Sequence, residues 1–240
     1  MWPKVSRVVT SEEVRAEVRF LTKKVGLTID RNKCIGCGIC SNVCPRDAIA
    51  RGPVGAVLRD SGNQWVSLAL DVSPEVVDPR KCSYCGTCAA LCPTFAITMV
   101  EDGEPVKPDQ LTLVKEKAIP RLKRELVDLP KAKVKMSKYW DFDIAHDNTK
   151  CAGGCMTCTF VCPTEALHVP KKFKGGWNVA KKVELDATKC VGCGACLQTC
   201  PADSITLTRR DVAFEGEFNE PFWPDLVAKL ERPFKKTVEG

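Results

Sequence analysis

The chain has 240 residues, a formal net charge of +6, 44% hydrophobic and 28% charged residues, and 16 cysteines. That length carries one or two domains and enough apolar residues for a core. No apolar run approaches the roughly 18 residues of a membrane helix, which excludes membrane insertion from the reading, and Met1 to Thr10 shows neither a hydrophobic signal region nor a twin arginine, so a cytoplasmic location is expected.

In chain order, residues 11–25 read as a helix. Thr10 and Glu13 have capping-box spacing, and Val14, Val18, Leu21 and Val25 recur at helical period. Gly26 closes it, and Leu27-Thr28-Ile29-Asp30 reads as a short strand. A dense run follows: Cys34-Ile35-Gly36-Cys37-Gly38-Ile39-Cys40-Ser41-Asn42-Val43-Cys44-Pro45. An insertion over 52–73 holds Gly52-Pro53-Val54-Gly55-Ala56, a hairpin turn at Asp60-Ser61-Gly62-Asn63, and Trp65. It reads as a surface hairpin or a partner-facing loop. The second run is Cys82, Cys85, Cys88, Cys92 and Pro93. Residues 101–143 begin with breaker residues, continue into a helix over 113–126 interrupted at Pro120, and are dense in lysine over 115–138. They are too apolar for a flexible linker and are expected to pack across both halves.

The third run, Cys151, Cys155, Cys158, Cys162 and Pro163, has one extra residue between its first two cysteines. Its CxxxCxxC opening is also the radical S-adenosylmethionine spacing, but Cys162-Pro163 completes a run like the others, and there is no room for the barrel of such enzymes. Met156 stands where the other runs have Gly38, Gly86 and Gly194. His146 and His168 flank this unit and read as surface or supporting residues. The fourth run is Cys190, Cys193, Cys196, Cys200 and Pro201. Beyond it lie Phe214, Phe218, Phe222, Trp223 and Phe234, with a helix expected from Pro224 to Leu230. So aromatic a tail is expected to wrap its own chain or insert into a partner.

The four runs are one repeating unit: strand, cysteine loop, short helix, strand. The strands are 27–30, Glu75-Val76-Val77-Asp78, Ile144-Ala145-His146-Asp147 and Val183-Glu184-Leu185-Asp186, and a lysine (33, 81, 150, 189) precedes each first cysteine. Four runs of four use every cysteine. Soft thiolates in CxxCxxCxxxCP spacing suit a 4Fe–4S cubane, whereas zinc knuckles use paired CxxC units and disulfide scaffolds show no such run. Glycine beside cysteine gives the tight backbone and frees amides to point at sulfur. No nucleotide loop, open metal site or orphan nucleophile appears, so no catalytic residue is assigned. Four oxidised clusters add about 8 negative charges to the formal +6 and leave the holoprotein near −2, so the lysines read as offsetting cluster charge, not as binding nucleic acid.

These motifs resemble the polyferredoxin family, tandem 2×4Fe–4S bacterial-type ferredoxins that serve as electron wires in multi-subunit oxidoreductases. The segment leading into Ile29-Asp30 and the first motif, with Gly52-Pro53-Val54-Gly55-Ala56 after it, also resembles the polyferredoxin subunit of archaeal formylmethanofuran dehydrogenase. The resemblance implies an α+β fold: an N-terminal arm with a helix (1–26), ferredoxin domain 1 (27–100), an interdomain segment (101–143), ferredoxin domain 2 (144–208) and a C-terminal docking tail (209–240). It also implies crossed ligation, the fourth cysteine of one motif serving the other motif's cluster. The four sets would be Cys34, Cys37, Cys40 and Cys92; Cys82, Cys85, Cys88 and Cys44; Cys151, Cys155, Cys158 and Cys200; and Cys190, Cys193, Cys196 and Cys162. Four-cluster subunits of molybdenum or tungsten oxidoreductases pair the first motif with the last instead; the even repeats here favour sequential pairing. The implied function is a non-catalytic electron-transfer subunit, with a catalytic oxidoreductase subunit and a second donor or acceptor protein as partners. A free soluble carrier is the alternative.

Overall fold

The computed structural model describes residues 3–50, 58–59, 65–66, 75–76, 78–151, 155–170, 182–219 and 221–233. It opens with an antiparallel meander of β1 (Lys4–Val9), β2 (Glu13–Arg19) and β3 (Lys24–Asp30), with Val5 opposite Val18 and Val14 opposite Ile29. The helix expected over 11–25 is therefore wrong. In β2, Val14, Ala16 and Val18 are buried while Arg15 and Arg19 are exposed, a period of two. Valines 14, 18 and 25 fit helical spacing too, but their branched side chains favour a pleated surface, and the neighbouring strands are there to cover it. Thr10 closes a turn, not a helix: its Oγ1 accepts from the amides of Glu12 and Glu13 at 3.3 and 3.0 Å.

The first cysteine loop leads into α1 (Ile39–Val43) and β4 (Ile49–Ala50). Within the insertion, β5 (Leu58–Arg59) and β6 (Trp65–Val66) pair antiparallel, as a hairpin requires; the turn expected at 60–63 lies outside the described residues. β7 (Glu75–Val76) pairs with β4, and the second loop leads into α2 (Thr87–Leu91). β8 (Ile97–Glu101) returns beside β3 and β9 (Glu104–Val106) follows, completing a five-stranded sheet in the order β1-β2-β3-β8-β9.

The helix expected over 113–126 is another correction. After a 3₁₀ turn at Pro108–Gln110, α3 (Thr112–Lys115) makes one turn and stops, with Lys117 at φ 58°. Pro120 has no amide to donate and disfavours helix at the residue before it. The chain continues as β10 (Arg121–Leu122), β11 (Glu125–Leu129), β12 (Val134–Lys138) and β13 (Asp141–His146). This segment does pack across both halves. On one side Arg124 donates to Ala90 O, Tyr139 to Leu91 O and the Ser137 amide to Pro93 O. On the other, Trp140 Nε1 donates to Val191 O at 3.3 Å and Lys131 Nζ to Thr159 O at 3.0 Å.

The second half holds α4 (Thr157–Val161), the pair β14 (Leu167–His168) and β15 (Glu184–Leu185), α5 (Ala195–Thr199), and β16 (Ile205–Arg210), which pairs with β13. β17 (Phe214–Glu215) then crosses back to β10, and α6 (Phe222–Glu231) ends the described chain. The aromatic tail wraps its own protein: Trp223, Leu226 and Leu230 are buried, and the Phe214 ring meets Trp223 edge-on at 5.5 Å. That face of the tail is not on offer to a partner. Phe234 lies outside the described residues. Two hydrophobic cores result, one under the N-terminal sheet and α6 and one around α4, α5 and β16, with Phe142 and Val161 touching both.

Candidate metal centres

All four cysteine motifs begin and end alike. Each opens with an aspartate four residues before the first cysteine, whose Oδ1 accepts the backbone amide two residues on: Asn32 to Asp30, Arg80 to Asp78, Thr149 to Asp147 and Thr188 to Asp186, at 2.8–3.1 Å. The lysines before the first cysteines serve these turns. Lys33, Lys150 and Lys189 pair with Asp30, Asp147 and Asp186 on the exposed surface. Each loop ends in a five-residue helix whose C-cap is the fourth cysteine, extended at ψ 113–117°. Three residues later comes a left-handed residue in every motif: Asp47, Phe95, Glu165 and Asp203.

Gly38, Gly86 and Gly194 start their helices at φ 73°, 83° and 87°, where a side chain would be strained. Met156 takes the equivalent place at φ −123°, outside the left-handed region. At the earlier left-handed position of Gly36 and Gly192, the second motif carries Tyr84 at φ 53°.

The donor set fits iron–sulfur clusters. No disulfide forms among the sixteen cysteines. Backbone amides reach sulfur, Ala48 to Cys44, Tyr84 to Cys82 and Ser204 to Cys200, at 3.3–3.4 Å. Hydroxyls do likewise: Thr87 lies 3.3 Å from Cys85 Sγ and Thr157 3.5 Å from Cys155 Sγ. Burial first, then neighbouring cysteines, push the Cys40 and Cys88 thiols well above their usual range. Burial likewise lifts Cys158 and Cys193 to about 12. Burial and crowding favour the neutral thiol at these positions, a cost that cationic iron would offset.

The structure brings the motifs together in sequential pairs. Helix α1 packs on α2 and α4 on α5. Cys92 acts electrostatically on Cys37 and Cys40, Cys44 on Cys82 and Cys88, Cys200 on Cys151 and Cys158, and Cys162 on Cys190 and Cys193. His168 pairs at the surface with Glu184 at 3.2 Å, and His146 faces Ile205 in the β13–β16 ladder, so neither histidine joins a cysteine loop.

The two halves meet at the first and fourth motifs. Cys37 acts on Cys193, and a Cβ on Gly194 would lie 3.6 Å from Cys37 O. Reciprocally, a Cβ on Gly38 would lie 2.6 Å from Gln198 Cδ of the fourth motif's helix. Arg209 fills this junction. It is 1% exposed, and it donates to Gly192 O at 3.0 Å, Cys193 O at 2.6 Å and Leu230 O at 3.1 Å, with its guanidinium 4.7 Å from the Trp140 ring centroid. Burial pulls its pKa down while Cys37, Tyr139, Cys193 and Cys196 act to raise it. Helix α6 closes the same place, where Asn42 of α1 donates to Lys229 O. Sequence reasoning missed Arg209. The signal was present, since Ile205, Leu207 and Arg209 occupy the inward positions of one alternating strand.

The 4Fe–4S dicluster domain family matches residues 33–96 and 130–204, more than half of the chain. The chain belongs to this family. Its two dicluster domains hold four 4Fe–4S clusters. It is 32% identical over 66 residues to NADH-quinone oxidoreductase subunit I 2 of Geobacter metallireducens, covering 27% of this chain and 50% of that protein. It is 58% identical over 26 residues to the polyferredoxin protein FwdF of Methanocaldococcus jannaschii, 11% of this chain and 7% of that one. The dicluster chain thus spans half or less of the length of these curated relatives. Among solved structures it resembles a chain of the formate dehydrogenase–heterodisulfide reductase–formylmethanofuran dehydrogenase complex of Methanospirillum hungatei. The TM-score is 0.74 at 25% identity, covering 100% of this chain and 96% of that one. Among the described residues no helix is long and apolar enough to cross a membrane.

Proposed function

We propose that this dicluster protein is the electron-transfer subunit of a cytoplasmic multi-subunit oxidoreductase, and that its clusters are held by the crossed cysteine sets given above. Each cluster supplies a one-electron couple at low potential. The protein's part is to hold four of them in a line, exclude water and set their order. The observation that carries the reading is the approach of the first motif's loop to the fourth's, where a Cβ on Gly194 would lie 3.6 Å from Cys37 O. With sequential pairs and this junction, the motifs run second, first, fourth, third, so the two outer motifs stand at opposite ends, where an electron donor and an acceptor can each dock. The likeness over nearly the whole of a chain from a three-enzyme complex supports catalytic partner subunits of the formylmethanofuran dehydrogenase kind, or another tungsten, molybdenum or hydrogenase-linked system.

The second motif offers a docking place. Phe20 and Leu21, at the tip of the β2–β3 turn, are 46% and 81% exposed, and the groove beside them is lined by Val18, Lys23, Cys82 and Tyr84. Anaerobic co-purification followed by gel filtration and mass spectrometry tests the proposal. A complex eluting far above 26.4 kDa with a catalytic oxidoreductase subunit is expected; elution as a lone 26.4 kDa carrier overturns it.

A further inference from the structure

Arg209 is a buried cation without a counter-anion of the ordinary kind. Among the described residues no carboxylate pairs with it; its hydrogen bonds go to the carbonyls of Gly192, Cys193 and Leu230. A buried charge left unpaired costs several kcal/mol. The groups that favour its charge are Tyr139 and cysteines of two different motifs, Cys37 of the first and Cys193 and Cys196 of the fourth, and both Arg209 Nη2 and Cys37 O lie within 4 Å of a Cβ placed on Gly194. Both of the loops it faces belong to the junction where the dicluster domains meet. It is fixed there from every direction: by the β16 backbone, by the Trp140 ring, by the fourth motif's loop and by α6. Its neighbour Arg210 is different, exposed and paired with Asp143 at 2.6 Å.

Adding one electron to a cluster adds one unit of negative charge. A permanent cation held beside it in a region of low dielectric favours the reduced state and raises the reduction potential. A guanidinium does not release its proton in a protein, so the effect moves an electron without moving a proton. We propose that Arg209 is an electrostatic tuning residue for the electron path, shared by the first and fourth motifs, which makes the two inner clusters easier to reduce and so bridges the domains. This rests on the wire reading and the crossed cysteine sets above.

The test is an EPR-monitored redox titration of the complete protein, reduced stepwise with titanium(III) citrate, in wild type, Arg209→Gln, Arg209→Lys and Arg210→Gln. Iron per chain and association with the partner are measured on the same preparations. The expected result is full iron in all four proteins, with two of the four midpoints moved to more negative potential in Arg209→Gln. Arg209→Lys, which keeps the charge, and Arg210→Gln leave them near wild type. Unmoved midpoints in an iron-replete Arg209→Gln protein overturn the proposal, as does an Arg209→Lys protein displaced as far as Arg209→Gln. If Arg209→Gln assembles poorly, Arg209→Met, neutral and better suited to an apolar site, carries the same comparison. Loss of iron from all three Arg209 variants shows a scaffold residue and also overturns the proposal. Failure of the wire reading shows separately, as wild type that lacks four clusters or never binds a partner.

Discussion

The inner motifs, first and fourth, and the outer motifs, second and third, share a fold and differ in what they touch. Gly38 and Gly194, at equivalent places, face the opposite half: Gln198 for one and Cys37 for the other. In the second motif Gly86 meets Met99 of its own half and Leu111 of the segment that follows it, and the third has Met156 there. The outer motifs have also drifted further from the repeat, one taking Tyr84 at a left-handed position and the other gaining a residue. A motif against another domain is held by backbone fit on two sides; one against its own half or the solvent can change its loop. The difference places the inner pair at the junction and agrees with the proposed exchange of electrons with other proteins at the outer pair.

The largest expected effect comes from breaking the crossing itself. Cys92→Ser should damage the cluster of Cys34, Cys37 and Cys40, and Cys44→Ser that of the second motif, each costing up to about four of about sixteen irons. Cys200→Ser should spare the first motif and strike the third. Iron analysis with EPR of the three variants checks this; damage to the first motif from Cys200→Ser would mean nested pairing.

Next comes the lid over the inner motifs. Trp223 is 1% exposed and anchors α6 across α1 and Arg209, so Trp223→Ala should cost about 3–5 kcal/mol. Anaerobic thermal unfolding reads that loss. Oxygen should also bleach the variant's cluster absorbance faster, because α6 covers the first motif; unchanged bleaching would leave the helix a purely structural role.

Smaller is the glycine comparison. Gly194→Ala combines φ +87° with a Cβ 3.0 Å from Arg209 Nη2, whereas Gly103→Ala has φ +95° and open space. Both suffer backbone strain of about 1–3 kcal/mol, and only the first should also disturb the spectra of the inner clusters. Equal behaviour of the two would argue that the junction is looser than its contacts.

The smallest effect is at the lysines. Lys33→Gln and Lys189→Gln remove exposed pairs to Asp30 and Asp186, each worth about 0.5 kcal/mol or less. Iron content and midpoints should stay put. A marked shift in potential would show that these lysines serve the clusters as well as their turns.

The sequence alone determined the four cysteine loops, their repeat, the strands ahead of them and a helix over 224–230, which the structure extends to 222–231, because ligand spacing and turn chemistry are local. A thiol run of CxxCxxCxxxCP has few physical uses, and an aspartate four residues ahead caps its turn wherever the unit sits. The N-terminal meander was not legible: Val14, Val18 and Val25 satisfy two periodicities, and only the presence of β3 and β8 as pairing partners decides between them. The interdomain strands were hidden by the same ambiguity around Pro120. Which motifs face each other across the domains, the burial of Arg209 between Cys37 and Cys193, and the folding of the aromatic tail over α1 depend on contacts between residues as far apart as Asn42 and Lys229. Such contacts leave no spacing in the chain, because they are set by how two finished domains fit together.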